Sequence, residues 1–325
     1  MELIRNRIIK YHVSLDTVNE FEQSILSDSQ VKTANKVMEV FSELTFLSWK
    51  ILDRGCLLWN HEVGPLFKTK KLNDRIVFSL LMGPDFRQCL PYFITSARKN
   101  IYMFDAWECH HNELRRFVKL FDVENVFVSS NKAADMLQEK ADKCKYHWIP
   151  EGIRPEEYKQ YPYERKDIDV LALGRKYDVY HELIVAYLEN NDKTYLYEKK
   201  VGVVIFPTRK EFVDSLARSR ISICFPSSIT HPARSGNMET MTIRYLQSMI
   251  AKCLIVGKAP KELLTLFGYN PVIEVDMNNP VRQLQSLFEN FPNYVPLIEK
   301  NFNTVIEQHT WRHRWNKIKS KLVIR

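Results

Sequence analysis

The sequence predicts an α/β protein of two domains, each built around a largely parallel β-sheet. Its 325 residues are enough for two domains. Short apolar runs alternate with amphipathic stretches, which is typical of strands followed by helices. A polar segment without periodicity, 151–168, interrupts this alternation. We therefore expect one domain over 1–150, a linker over 151–168, a second domain over 169–303, and a helix over 304–325 that packs back on the first domain.

The first half begins with a helical pattern and continues with alternating strands and helices. Apolar residues recur at helical spacing within 15–52, so this segment is predicted to be helical. Asn131 is predicted to cap the last helix of this half, because its side chain can accept from the helix-start amides. The predicted strands are 75–82, 100–105, 125–130 and 146–150, and the predicted helices between them are 111–121 and 131–140.

The second half repeats the alternation more regularly. The helix after its first strand places Val179, Leu183 and Tyr187 on one face. Thr208 and Glu211 have the spacing of a capping box. Asn279 and Pro280 resemble a cap followed by proline at the first helical position. The predicted strands are 169–174, 201–207, 221–226, 253–257 and 271–276.

Composition excludes several classes of protein. No apolar run approaches the roughly 20 residues of a membrane helix, and the N-terminal residues lack the apolar core of a secretory signal, so we expect a cytoplasmic location. The six cysteines form no CxxC pair. This scatter argues against a metal cluster or a disulfide framework and indicates reduced, core-filling thiols.

The formal net charge of +8 suits an anionic partner. The densest basic runs are "KTKK" at 68–71 and "WRHRWNKIKSK" at 311–321. Neither has the signature of a nucleic-acid-binding module, so no nucleic acid is expected as a partner. Both runs are interpreted as solvated faces, with docking on an anionic membrane surface, as a peripheral protein on the inner face, as the alternative.

Polar residues follow one predicted strand of the first half, in "FDAWECHH". His110 and His111, with Asp105 and Glu108 beside them, could act as acid or base groups or contact a sugar. The spacing of the two histidines is not that of a helical metal site. A polar loop that caps the following helix is the alternative.

Three strand ends of the second half carry candidate ligand groups. "LGRKYD" supplies Gly174, Arg175 and Lys176, and such a pair of cations suits a diphosphate. The loop that runs into "NMETMTIRYLQ" ends in a helix start, whose free amides can bind an anion. The carboxylate of Glu239 in this loop could instead interact favourably with the helix dipole. The amide of Gln247 lies within an apolar stretch and therefore needs a polar partner.

The third strand end, "NPVIEVD", carries Glu274 and Asp276, for which helix capping is at least as good an interpretation as ligand contact. The phosphate-loop pattern GxxxxGK[ST], the dinucleotide pattern GxGxxG and the GxSxG elbow are all missing from the sequence. A nucleoside triphosphatase, a dinucleotide dehydrogenase and a serine hydrolase of that type are therefore disfavoured.

These segments resemble, in the expected order, the GT-B glycosyltransferases of the retaining group 1, or family 4, branch. "HWIPEGIRPEEY" is similar to the family's crossing between domains, and "LALGRKYD" to its "vGR…K" strand end. "ETMTIRYLQSMIAKCLIVG" is similar to the E-x7-E block, with Gln247 at the second acid. The match covers 147–276, and it implies two Rossmann-like domains that face a cleft.

The resemblance also implies roles for single residues. Glu239 would hold the donor sugar, Gln247 the ribose, and Arg175 and Lys176 the diphosphate, with His110 or His111 projecting toward the sugar. The chain would transfer a hexosyl group from a nucleotide-diphosphate sugar to a glycan or lipid-linked acceptor, with retention and without a metal or other cofactor. The backbone that would meet the phosphates belongs to Thr240, Met241, Thr242 and Ile243.

Two other functions fit the same fold. One is isomerisation of a nucleotide sugar, as in 2-epimerases, although the acidic groups of those enzymes are not found here. The other is a degenerate, non-catalytic protein that binds a nucleotide sugar, which Gln247 favours. The sugar, the base and the acceptor depend on loop shapes that the sequence pattern does not reveal.

Overall fold

The computed structural model of the chain contains two compact units. The first comprises Met1–Pro150 together with Trp315–Arg325, and the second comprises Glu151–Arg314. The structure describes residues 1–5, 16–34, 41–59, 75–95, 97–141, 143–200, 203 and 205–322.

The first unit holds a parallel sheet with helices between its strands. Its strand order is β2-β1-β3-β4-β5-β6. Both faces of the central strands are buried, as expected where helices cover both sides. The strands are β1 (Glu2–Ile4), β2 (Lys32–Thr33), β3 (Ile76–Met82), β4 (Arg98–Phe104), β5 (Asn125–Val128) and β6 (Lys145–Trp148). The helices are α1 (Asp16–Leu26), α2 (Ser42–Trp59), α3 (Leu90–Phe93), α4 (His111–Phe121) and α5 (Asn131–Gln138).

Two predictions for this unit were wrong. The helical segment 15–52 is divided, because a turn in which Asp28 accepts from the Gln30 amide at 3.0 Å ends α1 and leads into β2. Residues 15 and 35–40 of that prediction lie outside the described residues. The cap of α5 is Ser130, whose hydroxyl accepts from the Ala133 amide, and Asn131 is the first helical residue.

The second unit holds a smaller parallel sheet with the order β11-β10-β9-β7-β8. Together the two parallel sheets confirm the predicted α/β fold class. The strands are β7 (Ile168–Ala172), β8 (Tyr195–Leu196), β9 (Ser219–Cys224), β10 (Leu254–Gly257) and β11 (Ile273–Glu274). The helices are α6 (Asp178–Asn190), α7 (Arg209–Arg218), α8 (Ser227–Thr230), α9 (Pro232–Ser235), α10 (Ile243–Ile250), α11 (Lys261–Phe267), α12 (Pro280–Glu289) and α13 (Val295–Gln308).

Some of the predictions for single helix starts and strands of this unit are confirmed, and others are wrong. The capping box is confirmed, since Thr208 Oγ1 accepts from the Glu211 amide at 3.2 Å and a Glu211 oxygen accepts from the Thr208 amide at 3.1 Å. Pro280 opens α12 as predicted, but Asn279 makes no side-chain cap. The predicted strand 201–207 is wrong for residues 203 and 205–207, which lie outside any strand, and residues 201, 202 and 204 are not described.

The buried face of α6 also differs from the prediction. Val179 and Leu183 are 52% and 43% exposed. The core of the unit instead receives Tyr180, Ile184 and Leu188. These three residues share a helical face as well, so periodicity alone could not choose between the two faces.

The segment predicted as a linker belongs to the second unit. It contains short 3₁₀ turns, and Ile153 forms a parallel bridge with Thr310. The Trp311 amide donates to the Ile153 carbonyl at 2.9 Å. A β carbon on Gly152 would lie 2.8 Å from the Trp311 nitrogen, so this close approach needs glycine.

The C-terminal segment forms α13 and then α14 (Trp311–Leu322). Residues from Trp315 onward belong to the first unit. The basic run 311–321 is not simply a solvated face, because Trp311, Arg314, Trp315 and Ile318 are buried. The Lys319 ammonium lies 2.7 Å from Asp28 and holds the pKa of that carboxyl down, at about 2. The other basic run, 68–71, lies outside the described residues.

Candidate functional site

The carboxyl end of β7 lies at the switch point of the second sheet. β7 pairs with β8 on one side and with β9 on the other. Ligands of open parallel sheets bind outside the carboxyl ends of the strands at such a point. Gly174, Arg175 and Lys176 lie in the loop between β7 and α6. The residues predicted from "LGRKYD" are therefore at the position where this fold offers a site.

A small pocket lies beside the two cations. Aromatic side chains form much of its wall, and the ring centroids of Tyr177 and Phe225 are 4.8 Å apart. The wall comprises Ala172, Arg175, Lys176, Tyr177, Tyr180, His181, Tyr195, Ile223 and Phe225. Aromatic faces next to cations suit a planar ring that is joined to an anionic group.

Polar groups in the pocket wall have unusual surroundings. The hydroxyl of Tyr180, a side chain only 1% exposed, has no hydrogen-bond partner within the described part of the chain. Burial raises the pKa of Tyr180, so the hydroxyl keeps its proton. His181 Nδ1 lies 3.1 Å from the Tyr195 hydroxyl, and burial, reinforced by the charge of Lys176, lowers the pKa of His181. Near neutral pH the pocket therefore offers a neutral imidazole and an unused hydroxyl donor.

Two amides of the predicted phosphate-binding backbone already have anionic acceptors. The Met241 amide donates to Glu262 Oε2 at 3.0 Å, and the Ile243 amide donates to Glu151 Oε2 at 2.8 Å. Both carboxylates are buried. The partial positive charge at the start of α10 is thus compensated by carboxylates of the same chain. The sequence carried no signal for this, since Glu151 lies far from α10 along the chain.

The side chains of this segment offer hydroxyl groups. Thr240 is buried and Thr242 is the N-cap of α10. The Oγ1 atoms of both residues are buried and lack a hydrogen-bond partner among the described residues. They are therefore buried donors without an acceptor among the described residues.

Glu239 and Gln247, the two ends of the E-x7-E-like block, have partners within the protein. Glu239 is half-buried, and its Oε2 accepts from the Lys261 amide at 3.2 Å, at the start of α11. Gln247 is buried, and its Nε2 donates to the Tyr158 hydroxyl at 2.9 Å. This bond explains why an amide stands in an apolar stretch. Contact of either residue with a donor sugar stays a prediction.

The predicted histidines belong to the first unit. His111 is buried at the start of α4, and its Nε2 donates to the Ala106 carbonyl at 3.0 Å. Burial lowers the pKa of His111, so its ring is neutral near pH 7. His110 is half-buried at the end of a 3₁₀ turn. Their catalytic roles stay predictions.

The third strand end supports local structure. Glu274 lies 2.8 Å from the Lys258 ammonium. Asp276 accepts from the Asn279 amide at 3.1 Å, just before α12. Neither contact is a helix cap, since α12 begins without a side-chain cap, and ligand contact of Glu274 or Asp276 stays a prediction.

Arg244, at the second position of α10, was not assigned a role from the sequence. Its Nη1 donates to the Leu173 carbonyl at 3.4 Å, directly after β7. A β carbon on Gly174 would come within 2.5 Å of Arg244 Cδ and Nη1. The side chain therefore lies across the glycine that precedes Arg175. The position of a cation in the first turn of a helix, where cations are disfavoured, was the available signal.

No group of three or more histidine, cysteine or acidic side chains converges within the described ranges in a way that could hold a metal ion.

The fold with its two parallel sheets matches that of GT-B glycosyltransferases of known structure. No protein-family model matches the chain, and no curated protein matches it by sequence.

Two solved proteins represent the match. TarM from S. aureus aligns with a TM-score of 0.50 and 10% identity over 75% of this chain and 54% of its own. HepE from Anabaena, in complex with UDP-glucose, aligns with a TM-score of 0.52 and 10% identity over 76% of this chain and 78% of its own. This chain thus spans about half the length of TarM. At such identities the likeness is one of fold.

Proposed function

We propose that the protein is a glycosyltransferase that uses a nucleotide-diphosphate sugar as its donor. The observation that carries the proposal is the pairing of Arg175 and Lys176 with an aromatic-lined pocket at the switch point of the second sheet. Cations suit the diphosphate, and the pocket suits a planar ring. HepE, which has the same fold, was solved with UDP-glucose.

The chemistry follows from the charges at the end of β7. When the bond between sugar and phosphate breaks, negative charge develops on the departing diphosphate, and fixed cations stabilise it. We propose a hexosyl donor and a retaining, metal-independent transfer, in which the departing phosphate accepts the proton of the acceptor hydroxyl. Glu239 and Gln247 would orient the sugar and the ribose, and His110 or His111 would contact the sugar.

The test is turnover of a panel of UDP-, GDP- and ADP-hexoses, followed as release of nucleoside diphosphate with and without glycan acceptors. We expect Arg175→Ala to lower kcat/KM by about a hundredfold through the loss of charge-assisted bonds, and Glu239→Ala to lower it as well. Lys210→Ala, an exposed cation on α7, is the control and should retain full turnover. Unchanged turnover in both site variants would contradict the assigned site.

A second candidate, a non-catalytic protein that binds a nucleotide sugar, has its own support. Glu151 and Glu262 occupy amides that the resemblance assigns to the diphosphate. A rise in melting temperature with nucleoside diphosphates, without turnover of any donor in the panel, would favour this function over transfer.

We further propose that the acceptor is a glycan or a lipid-linked saccharide, handled in surface polysaccharide or glycoconjugate synthesis at an anionic membrane surface on the cytoplasmic side. In the described residues, no helix is long and apolar enough to span a membrane. Four large apolar side chains around α2 are at least half exposed, and they are Phe41, Leu44, Leu47 and Ile51. With the net charge of +8, such a surface suits anionic lipid.

Co-sedimentation with phosphatidylglycerol vesicles tests this membrane contact. We expect the wild-type protein to sediment with the vesicles and the variant Leu44→Ser/Leu47→Ser to stay in the supernatant. Equal sedimentation of both proteins would contradict the proposed membrane contact.

A further inference from the structure

We infer that Arg244 is a third cation of the donor site and that it, rather than the amides of Met241 and Ile243, binds the diphosphate together with Arg175 and Lys176. This inference rests on the proposed function and specifies how the same site holds its ligand. It also gives Gly174 a defined purpose, which is to leave room for the Arg244 side chain.

Arg244 lies beside the loop that carries the other two cations. Arg244 belongs to α10, whereas Arg175 and Lys176 belong to the loop after β7, so sequence distance separates them. The contact of the Arg244 side chain with Gly174 brings its guanidinium to the residue directly before Arg175. Gly174 has φ of +81°, a conformation that other residues adopt only with strain.

The charge of Arg244 also favours an anionic ligand. Arg244 is half-buried and forms no ion pair with any residue that the structure describes. Its single hydrogen bond, at 3.4 Å to the Leu173 carbonyl, uses one of five N–H donors. Lys176 is only partly neutralised, by Asp178 at 3.2 Å, a carboxylate whose side chain is 71% exposed. Arg244 therefore brings to the site a positive charge that no described carboxylate neutralises, which suits an anionic ligand.

The backbone before Arg244 has amides that already donate to carboxylates of the chain. Because the Met241 and Ile243 amides donate to Glu262 and Glu151, the helix start offers fewer amides than the family pattern implies. The Thr240 and Thr242 hydroxyls, which lack partners in the described part of the chain, remain as further donors. A guanidinium in the first turn of α10 supplies the missing donors, and it binds phosphate oxygens in a bidentate manner.

The test compares ligands with and without phosphates on the full chain. Binding of UDP, uridine and inorganic pyrophosphate is measured by calorimetry for wild type, Arg175→Gln, Arg244→Gln, Arg244→Lys and the control Arg282→Gln, an exposed cation on α12. Binding of GDP and ADP is measured for wild type. We expect Arg244→Gln to weaken UDP and pyrophosphate binding by about ten- to a hundredfold. Uridine binding should stay within about twofold of wild type, and Arg244→Lys should be intermediate because lysine binds as a point charge.

Gly174→Ala provides an independent variant. The added methyl group would displace the Arg244 side chain, so UDP binding should weaken while uridine binding persists. In the double variant Gly174→Ala/Arg244→Gln, binding should be no weaker than in Arg244→Gln alone, because both changes remove one interaction. Melting temperatures identify any variant that fails to fold.

The outcomes separate this inference from the proposed function. If Arg175→Gln weakens UDP binding but Arg244→Gln does not, Arg244 has only a structural role and the proposed function stands. If Arg244→Gln weakens uridine and UDP equally, the residue shapes the pocket and the inference is wrong. If wild type binds none of the three ligands and no GDP or ADP, both the inference and the proposed function are wrong.

Discussion

His309 shows how a buried titratable group is held neutral in this protein. Its ring is 3% exposed and stacks on Phe267 with a centroid distance of 4.6 Å. Arg314 Nη2 donates to His309 Nδ1 at 2.8 Å, and Arg314 Nε donates to the Glu151 carbonyl at 3.2 Å. Burial, with the nearby charge of Arg314, lowers the pKa of His309 to about 3. The guanidinium can therefore use the neutral ring as an acceptor over the whole physiological range.

This arrangement predicts a pH dependence of stability. As the pH falls below about 6.5, the unfolded chain protonates His309 while the folded protein does not, so the free energy of unfolding decreases toward pH 3, by at most about 1.4 kcal/mol per pH unit. His309→Gln lacks this pH-dependent loss of stability, because glutamine does not titrate. The difference in free energy of unfolding between wild type and His309→Gln, measured in urea, should therefore narrow from pH 7 to pH 5. A difference that stays constant from pH 7 to pH 5 would contradict the neutral, buried state of His309. The control is His313→Gln: because His313 is exposed, the difference in free energy of unfolding between wild type and this variant should narrow less.

The buried side chain of Lys166 connects α7, β9 and the turn after α10. Its ammonium donates to the carbonyls of Ala217 at 2.8 Å, Ser219 at 2.9 Å and Ala251 at 2.9 Å. These carbonyls lie at the end of α7, the start of β9 and the turn after α10. The side chain is 1% exposed, and burial lowers the pKa of Lys166. One cation thus satisfies three buried acceptors at the amino ends of the strands, whereas the candidate site lies at their carboxyl ends.

Lys166→Met should destabilise the second unit. The apolar stem is kept, but the buried carbonyls lose their donor, and we expect the free energy of unfolding to fall by about 3 kcal/mol. Hydrogen exchange of the β9 and β10 amides measures the change. The control is Lys159→Met, which removes an exposed ion pair with Asp214 and should leave exchange unchanged. Equal effects of the two substitutions would contradict the role of Lys166.

Sequence patterns predicted the strands and helices better than they predicted the side chains that connect these elements in the folded protein. The alternation of apolar runs and helices located β3, β4, β7 and β9, because parallel strands buried on both faces are continuously apolar. Gly174, Arg175 and Lys176 could be proposed together because they are contiguous, and their role in a site stays a prediction. Arg244 and Glu151 could not be placed, because tertiary folding brings them to the loop after β7 and to the start of α10.

At the scale of the molecule, residues from both ends of the sequence complete the first unit. Trp315 is buried, its ring centroid lies 5.6 Å from that of Phe78, and its Nε1 donates to Asp28 at 2.9 Å. Ile318 and Leu322 are fully buried on the same helix. The second unit, by contrast, is one continuous stretch, Glu151–Arg314.

Trp315→Ala should therefore weaken the first unit selectively. Loss of a buried indole costs about 3–5 kcal/mol, and we expect faster hydrogen exchange in β3 and β4 with little change in β9 and β10. Trp315→Phe, which keeps a ring but loses the N–H donor, should be intermediate, and the exposed Lys317→Ala should match wild type. Equal acceleration in both sheets would contradict this division.

The division of the first unit has a consequence for biosynthesis. A ribosome makes the chain from its amino end, so Met1–Pro150 leaves the exit tunnel first but lacks Trp315, Ile318 and Leu322. The second unit is made later, yet it is the first to have all of its residues. Folding during translation should therefore proceed in the reverse of the usual order, in which the N-terminal domain folds first. Until α14 emerges, the apolar surface around Phe78 is the part of the nascent chain that a chaperone would protect.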